Sequence, residues 1–361
     1  MDRLTFFKQG FSSLLDAAQS AIGLKHAADS FTEAVEEALS NIKTDIGLYL
    51  PSLDAGMYED PQGTICDIAE MGYTLIEVGA YAAGKIHNLP AARIKELADN
   101  AHLKIAGAHI NKLHERVTLE EEATTTEAVD KEAKTTGAVE EEATTIETVE
   151  KEASQETVGA GTVVEPTAKT AEVKPTETSA KPDPNVVWWS KALDQVKRLG
   201  CGHVVMSRLP DYPTDEVIDE YIAYFNLIGD LAAERGLQFC FHPRKVDMTP
   251  IRENPSVLDR IIEGCDKEKV ALEIDTREAT DANVDIVQLL KQQGKRVHLL
   301  HIHDYGIACE SGRIDFDKII AEGVRSGVKD IFVEVSSYSL PPKNCVERSI
   351  QNLQNLPSVR Y

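Results

Sequence analysis

Short apolar runs alternate along the chain with longer stretches whose apolar residues recur every three or four positions, the periodicities of strand and helix. From residue 45 onward the runs are IGLYL, TLIEVG, KIAGAHI, HVVMS, LQFCFH, VALEID, VHLLHIH and DIFVEV. The amphipathic stretches between and after them are Thr64–Met71, Ala91–Asn100, Trp188–Leu199, Thr214–Arg235, Ser256–Cys265, Val284–Gln293, Phe316–Ser326 and Cys345–Leu353. Eight strand-then-helix units in order predict an α/β fold, a (β/α)8 TIM barrel. A doubly wound open sheet is the alternative, but the first strand-to-helix turn has no G-x-G-x-x-G and eight regular units favour closure.

Two segments fall outside that alternation. Residues 1–44 open with MDRLTFFKQGFSSLLDAAQSAIGL and predict an amphipathic helix with Phe7, Phe11, Leu14, Leu15 and Ala18 on its apolar face. The opening looks like a worn twin-arginine export signal with Leu4 where the second arginine would stand. Asp16 interrupts the apolar region and no clean A-x-A site follows, so a retained helix and a cytoplasmic protein are expected, with export as the secondary reading. Residues 119–184 hold a period-ten repeat (EEATTTEAVD, KEAKTTGAVE, EEATTIETVE, KEASQETVGA) and then a Pro- and Thr-rich stretch. With no aromatic and few large aliphatics it cannot bury a core, which predicts an acidic insertion after strand three, disordered or at most a frayed helix. The barrel then comprises 45–118 and 185–361, a total of 251 residues, near the roughly 250 typical of the fold.

Charge narrows the partners. The 361 residues carry 38 Lys+Arg against 60 Asp+Glu, a net of -22, which argues against nucleic acid or an anionic membrane surface as a partner. The insertion, with 17 acidic and 6 basic residues, supplies half of it. Six scattered cysteines with no CxxC suggest reduced thiols rather than a thiolate metal site, and no apolar run has the roughly 18 residues of a membrane span.

In a barrel the strand ends point their inward side chains into one cup. Strand five ends at His242, strand six at Asp275, strand seven carries His301 and His303 on one face and then Asp304, and strand eight ends at Glu334. Two imidazoles with two carboxylates suit Mn, Co, Zn, Mg or Fe rather than a thiolate-loving metal. The structural alternative is that such groups cap amides or bond one another; three buried ionisable groups at Asp275, His301 and Glu334 nevertheless need compensation that a cation supplies. His303 suits a supporting or substrate role better than direct ligation. Glu77 and His109 also end strands and stand open between substrate contact and structural hydrogen bonding, while Glu273, one pleat below Asp275, suits a buried structural partner.

From Trp189 to Tyr338, the pieces KRLGCGHVVM, GLQFCFH, ALEID, GKRVHLLHIHDYG, GRIDF and GVKDIFVEVSSY resemble the sugar phosphate isomerase/epimerase group of the xylose isomerase-like superfamily. HIHDYG and FVEV are the most specific of these pieces. The resemblance covers about 250 residues, more loosely over the first three strands, and leaves out the amino-terminal helix and the insertion. It implies one divalent metal (Mn, Mg, Co or Zn) held by His242, Asp275, His301 and Glu334. The chain also departs from the family pattern. His242 stands where many relatives have a metal-ligating, proton-exchanging glutamate, Arg244 replaces a second histidine, and His303 replaces the usual lysine. Of two proton-transfer carboxylates only Glu334 is evident, which suits one-base isomerisation or elimination better than two-base epimerisation.

The resulting expectation is a metal-dependent isomerase or epimerase of a monosaccharide or related polyol, working by proton abstraction to a metal-stabilised enediolate. Glu334 would move the proton, His303 or Asp304 would assist at oxygen, and Arg244 at the rim would hold a substrate carboxylate or phosphate. The alternatives are a lyase or dehydratase acting on a keto-sugar or keto-inositol, and a degenerate barrel serving as a binding or scaffold protein. A homo-oligomer is compatible with the sequence.

Overall fold

The computed structural model describes residues 45–115, 183–250 and 254–359. The expected amino-terminal helix lies outside them, as does all of the expected insertion but its last two residues. Eight parallel strands close into a barrel in sequential order: β1 Ile46–Tyr49, β2 Leu75–Val78, β3 Lys104–His109, β4 His203–Met206, β5 Gln238–Phe241, β6 Val270–Asp275, β7 Val297–His303 and β8 Asp330–Glu334. Closure is made by β1, which pairs with β2 through Leu48↔Ile76 and with β8 through Leu48↔Val333. One helix follows each strand: α1 Pro61–Glu70, α2 Ala91–Asn100, α3 Pro184–Leu199, α4 Asp215–Ala233, α5 Val257–Gly264, α6 Ile286–Gln293, α7 Phe316–Ser326 and α8 Pro342–Gln354.

All eight expected units are present, and α2 and α7 have the expected bounds. Helix α1 starts three residues before Thr64 because Asp60 accepts a hydrogen bond from Gly63 N and Pro61 takes the first helical position. Likewise Pro184, assigned to the linker, already opens α3. Missed by the periodicity are Leu50–Leu53 and Asp54–Glu59, Lys245–Met248, Thr276–Asp281, and a hairpin of Tyr81–Ala82 with Lys85–Ile86. Each is too short to show a period.

Strand alternation decides which side chains face inward. In β5, Phe239 and Phe241 point out and pack on Phe225 of α4 with ring centroids 5.3 and 5.0 Å away. Cys240 therefore points into the barrel, and His242 follows it. The same alternation sends Leu300 and Ile302 into the layer beneath the helices and Leu299, His301 and His303 inward. Leu75, Ala106, Val205, Cys240, Ala271, Leu299 and Phe332 form a separate buried apolar plug. Ionisable groups stack one pleat above it, Glu77 over Leu75, Glu273 over Ala271, His301 over Leu299 and Glu334 over Phe332.

Two ladders slip at this level, β2–β3 between Ile76 and Glu77 and β6–β7 between Leu272 and Glu273. Such irregularities re-aim side chains, and here they occur where the two most deeply buried carboxylates enter the barrel. Gly107, paired with Glu77, makes room for one of them: a Cβ there would lie 2.5 Å from Glu77 Oε1. Gly107→Ala is expected to destabilise the barrel by about 1–3 kcal/mol, read as a lowered urea midpoint. An unchanged midpoint would show that Glu77 can move aside freely.

Candidate metal centre

Two ligand-like groups share His301. In the upper one, donor atoms of His242, Asp275, His301 and Glu334 all lie within 4.8 Å of one another; in the lower one the same holds for Glu77, His109, Glu273 and His301. The four upper residues come from the ends of β5 to β8, the positions expected from sequence. Asp275 and His301 are direct neighbours across the β6–β7 ladder, and Glu334 pairs with His303 across β7–β8.

His301 is fully buried with a carboxylate on each nitrogen. Its Nδ1 lies 2.8 Å from Glu334 Oε2; its Nε2 lies 2.7 Å from Glu77 Oε2 and 3.2 Å from Glu273 Oε1. Burial opposes a charge on this ring, but Glu273, Glu334 and Glu77 outweigh it and hold the pKa well above the ordinary imidazole value. Burial likewise works to raise Glu334, and the hydrogen bond from His301 overrules it, bringing the carboxyl down to about 2. His242 differs: burial holds it below the usual value, hence neutral, and its Nδ1 is buried without a hydrogen-bond partner among the described residues.

His303 stands beside the ligand set rather than in it. Its Nδ1 is 2.8 Å from Asp275 Oδ2 and its Nε2 is 2.7 Å from Ser336 Oγ. Thr276 locks its backbone, donating from Oγ1 to His303 O and accepting from His303 N. Asp275 Oδ1 accepts from the Glu278 amide at 2.8 Å, so one carboxylate both caps a short helix and orients His303.

Three of the expected residues are engaged in other contacts. Glu77, left open between substrate contact and structural bonding, is 0% exposed and bonds His301 and His109 beneath the cup. Arg244 is committed to Asp247, to Asp211 and to the Leu209 carbonyl, because a short helix turns its guanidinium back along the loop. Asp304 accepts from the amides of Tyr305 and Ser311, which folds the loop after β7. His109 lies at the cup floor, 2.8 Å from Glu273 Oε2 and 3.2 Å from Glu77 Oε2. Burial lowers its pKa, but the two carboxylates prevail and raise it to about 9. Glu273 is fully buried between the two imidazoles, as its place below Asp275 suggested.

Sequence reasoning missed Tyr49. Its ring centroid lies 4.8 Å from that of His109 and 4.9 Å from that of His301, and burial, reinforced by the charge of Glu334, pushes its hydroxyl pKa far up. It ends β1, so the strand-end rule that selected the other residues applies to it. Arg277 and Ser336 were also passed over, each two residues beyond a ligand candidate.

Residues 176–355 match the family described as xylose isomerase-like TIM barrel. The chain belongs to that family. The fold of this xylose isomerase-like chain recurs in solved structures. A sugar phosphate isomerase/epimerase from Parabacteroides distasonis ATCC 8503 superposes with a TM-score of 0.66 at 19% identity, covering 89% of this chain and 96% of that one. A D-allulose 3-epimerase from Methylomonas sp. gives 0.54 at 12% identity, covering 86% and 97%. At these identities the likeness is one of fold. Over 115 residues the chain is 28% identical to an inosose dehydratase of Geobacillus thermodenitrificans (strain NG80-2), an alignment spanning 32% of this chain and 38% of that relative. No helix among the described residues is long and apolar enough to cross a membrane.

Proposed function

We propose that the protein is a divalent-metal-dependent isomerase or epimerase of a monosaccharide or related polyol. The observation that carries this reading is the gathering of His242, Asp275, His301 and Glu334 within 4.8 Å from four successive strand ends. The donors fit a cation of the Mn, Mg, Co or Zn kind: two imidazoles, two carboxylates and no thiolate, with His242 neutral and its Nδ1 otherwise unpartnered. A divalent ion there supplies positive charge against the negative charge that develops when a C–H beside a carbonyl is ionised.

The chain's own groups do the rest. Glu77 and Glu273 grip the Nε2 side of His301 and fix its ring so that Nδ1 faces the upper group. Glu334 is the proton-transferring carboxylate; its basicity rises when His301 is neutral, since the hydrogen bond from a charged His301 is what lowers it. His303, steered by Asp275 and Ser336 and with its pKa raised by Asp275 despite burial, is the proton donor to substrate oxygen. Tyr49 offers a ring face at the cup floor beside His109. With one transferring carboxylate, the proton returns on the face it left, which suits isomerisation between adjacent carbons.

The segment similar to an inosose dehydratase favours a second reading, the same abstraction followed by expulsion of a β-hydroxyl. Both are tested on protein purified without added metal. Metal analysis should find about one divalent ion per chain, and a panel of ketoses, aldoses and keto-inositols in deuterated water should reveal exchange of a carbon-bound proton. Loss of a water from the substrate would select the elimination. A wild-type protein that takes up no divalent ion would leave the reading of a non-catalytic barrel.

A further inference from the structure

At the rim of the cup a guanidinium has no carboxylate to bond among the described residues. Arg277 lies two residues past Asp275, and its Nη1 is 3.2 Å from Ser336 Oγ and 3.5 Å from His303 Nε2. Its Cζ lies 5.1 Å from the ring centroid of Tyr305, whose hydroxyl is anchored by Asp281. Arg313 sits on the same ring, 3.8 Å from the centroid. A ring and a hydroxyl thus hold the side chain in place while most of its five N–H donors stay unspent.

This is unusual within the chain. Six arginines among the described residues are partly buried, at positions 93, 235, 244, 260, 277 and 296. Four of them pair with carboxylates and Arg296 bonds three backbone carbonyls. Arg277 alone has neither, in a chain with 60 acidic residues. Two guanidiniums drawn to one ring also concentrate positive charge at this part of the rim, which favours a nearby anion. A planar fork with free donors, already positioned, matches an oxyanion bidentately.

We infer that Arg277, beside His303 and Ser336 and fixed on Tyr305, anchors an oxyanion of the substrate, either a carboxylate or a phosphate monoester. The inference rests on the sugar reading only for the rest of the ligand; anion binding itself needs no turnover. It also moves the anion-holding role from Arg244, whose donors are taken, to the end of the neighbouring strand β6, next to Asp275.

Calorimetric titration of the full-length protein as purified tests this with D-glucuronate, D-glucose 6-phosphate and D-glucose as probes, against wild type, Arg277→Met and Arg277→Lys. Wild type should bind at least one anion about tenfold more tightly than glucose, and the anion preferred tells carboxylate from phosphate. Arg277→Met should erase that preference and Arg277→Lys should keep part of it, since a lysine retains charge without the fork. Should the methionine variant fail to fold, the lysine variant carries the test through a weakened preference. Equal anion binding by wild type and variants, or a wild type with no preference or no binding, overturns the inference. Arg277-dependent anion binding without proton exchange on any sugar would uphold it while removing the isomerase reading; exchange on neutral sugars without anion preference would do the reverse.

Discussion

His301→Ala is expected to abolish retention of a divalent ion and to destabilise the barrel by about 3–5 kcal/mol, the scale for breaking a buried ion pair by removing one partner. The side chain is wholly enclosed, with Glu334 on one nitrogen and Glu77 and Glu273 about the other. Its loss takes a donor from the upper group and strands carboxylates in the lower one, where Glu77 Oε1 already lacks a hydrogen-bond partner. Metal content after dialysis and a urea transition measure the two losses separately. Asp275→Ala should lose the ion as well, together with the cap it gives Glu278. If His301→Ala kept its metal, the ion would have to be held by residues other than this set.

Glu334→Gln separates holding the ion from moving the proton. The amide keeps a carbonyl oxygen for coordination but cannot accept a proton, so much of the metal should remain while proton exchange falls by about 10²- to 10⁴-fold. The glutamine can still bond His301 Nδ1 at the position of Oε2, which keeps the fold intact for the comparison. Full exchange by this variant with metal bound would remove Glu334 from proton transfer and direct attention to His303.

The parts of this architecture that could be read from sequence are those with a period. Eight apolar runs and eight amphipathic stretches become eight strands and eight helices, and the alternation QFCFH is enough to turn His242 inward. What a linear reading cannot see is depth. Glu77 and Glu334 both stand at strand ends, yet one is sealed beneath the cup and the other is partly open to it, because strands are staggered around the barrel and two ladders slip at Glu77 and Glu273. Arg244 is engaged in a way sequence does not show: Asp247 follows three residues later on a four-residue helix too brief to leave a pattern, and there it captures the guanidinium. Tyr49 was hidden by its own hydrophobicity within IGLYL, where it passes for core.

The hydrogen bond between His301 and Glu77 joins positions 224 residues apart, and the segment between them includes most of the barrel's middle. As the chain is synthesised from its amino terminus, Glu77 exists long before the His301 imidazole that will bond it, and contacts of such separation form late. β1 must likewise wait for β8 before its open edge is covered. Until the last strands arrive, the early third of the barrel holds Glu77 with only His109 to answer it and a first strand with one edge open. Closure of the ring and completion of the charge balance therefore both wait for the last two strands, so a truncated chain that stops short of β7 should have neither a dry core nor a place for a cation.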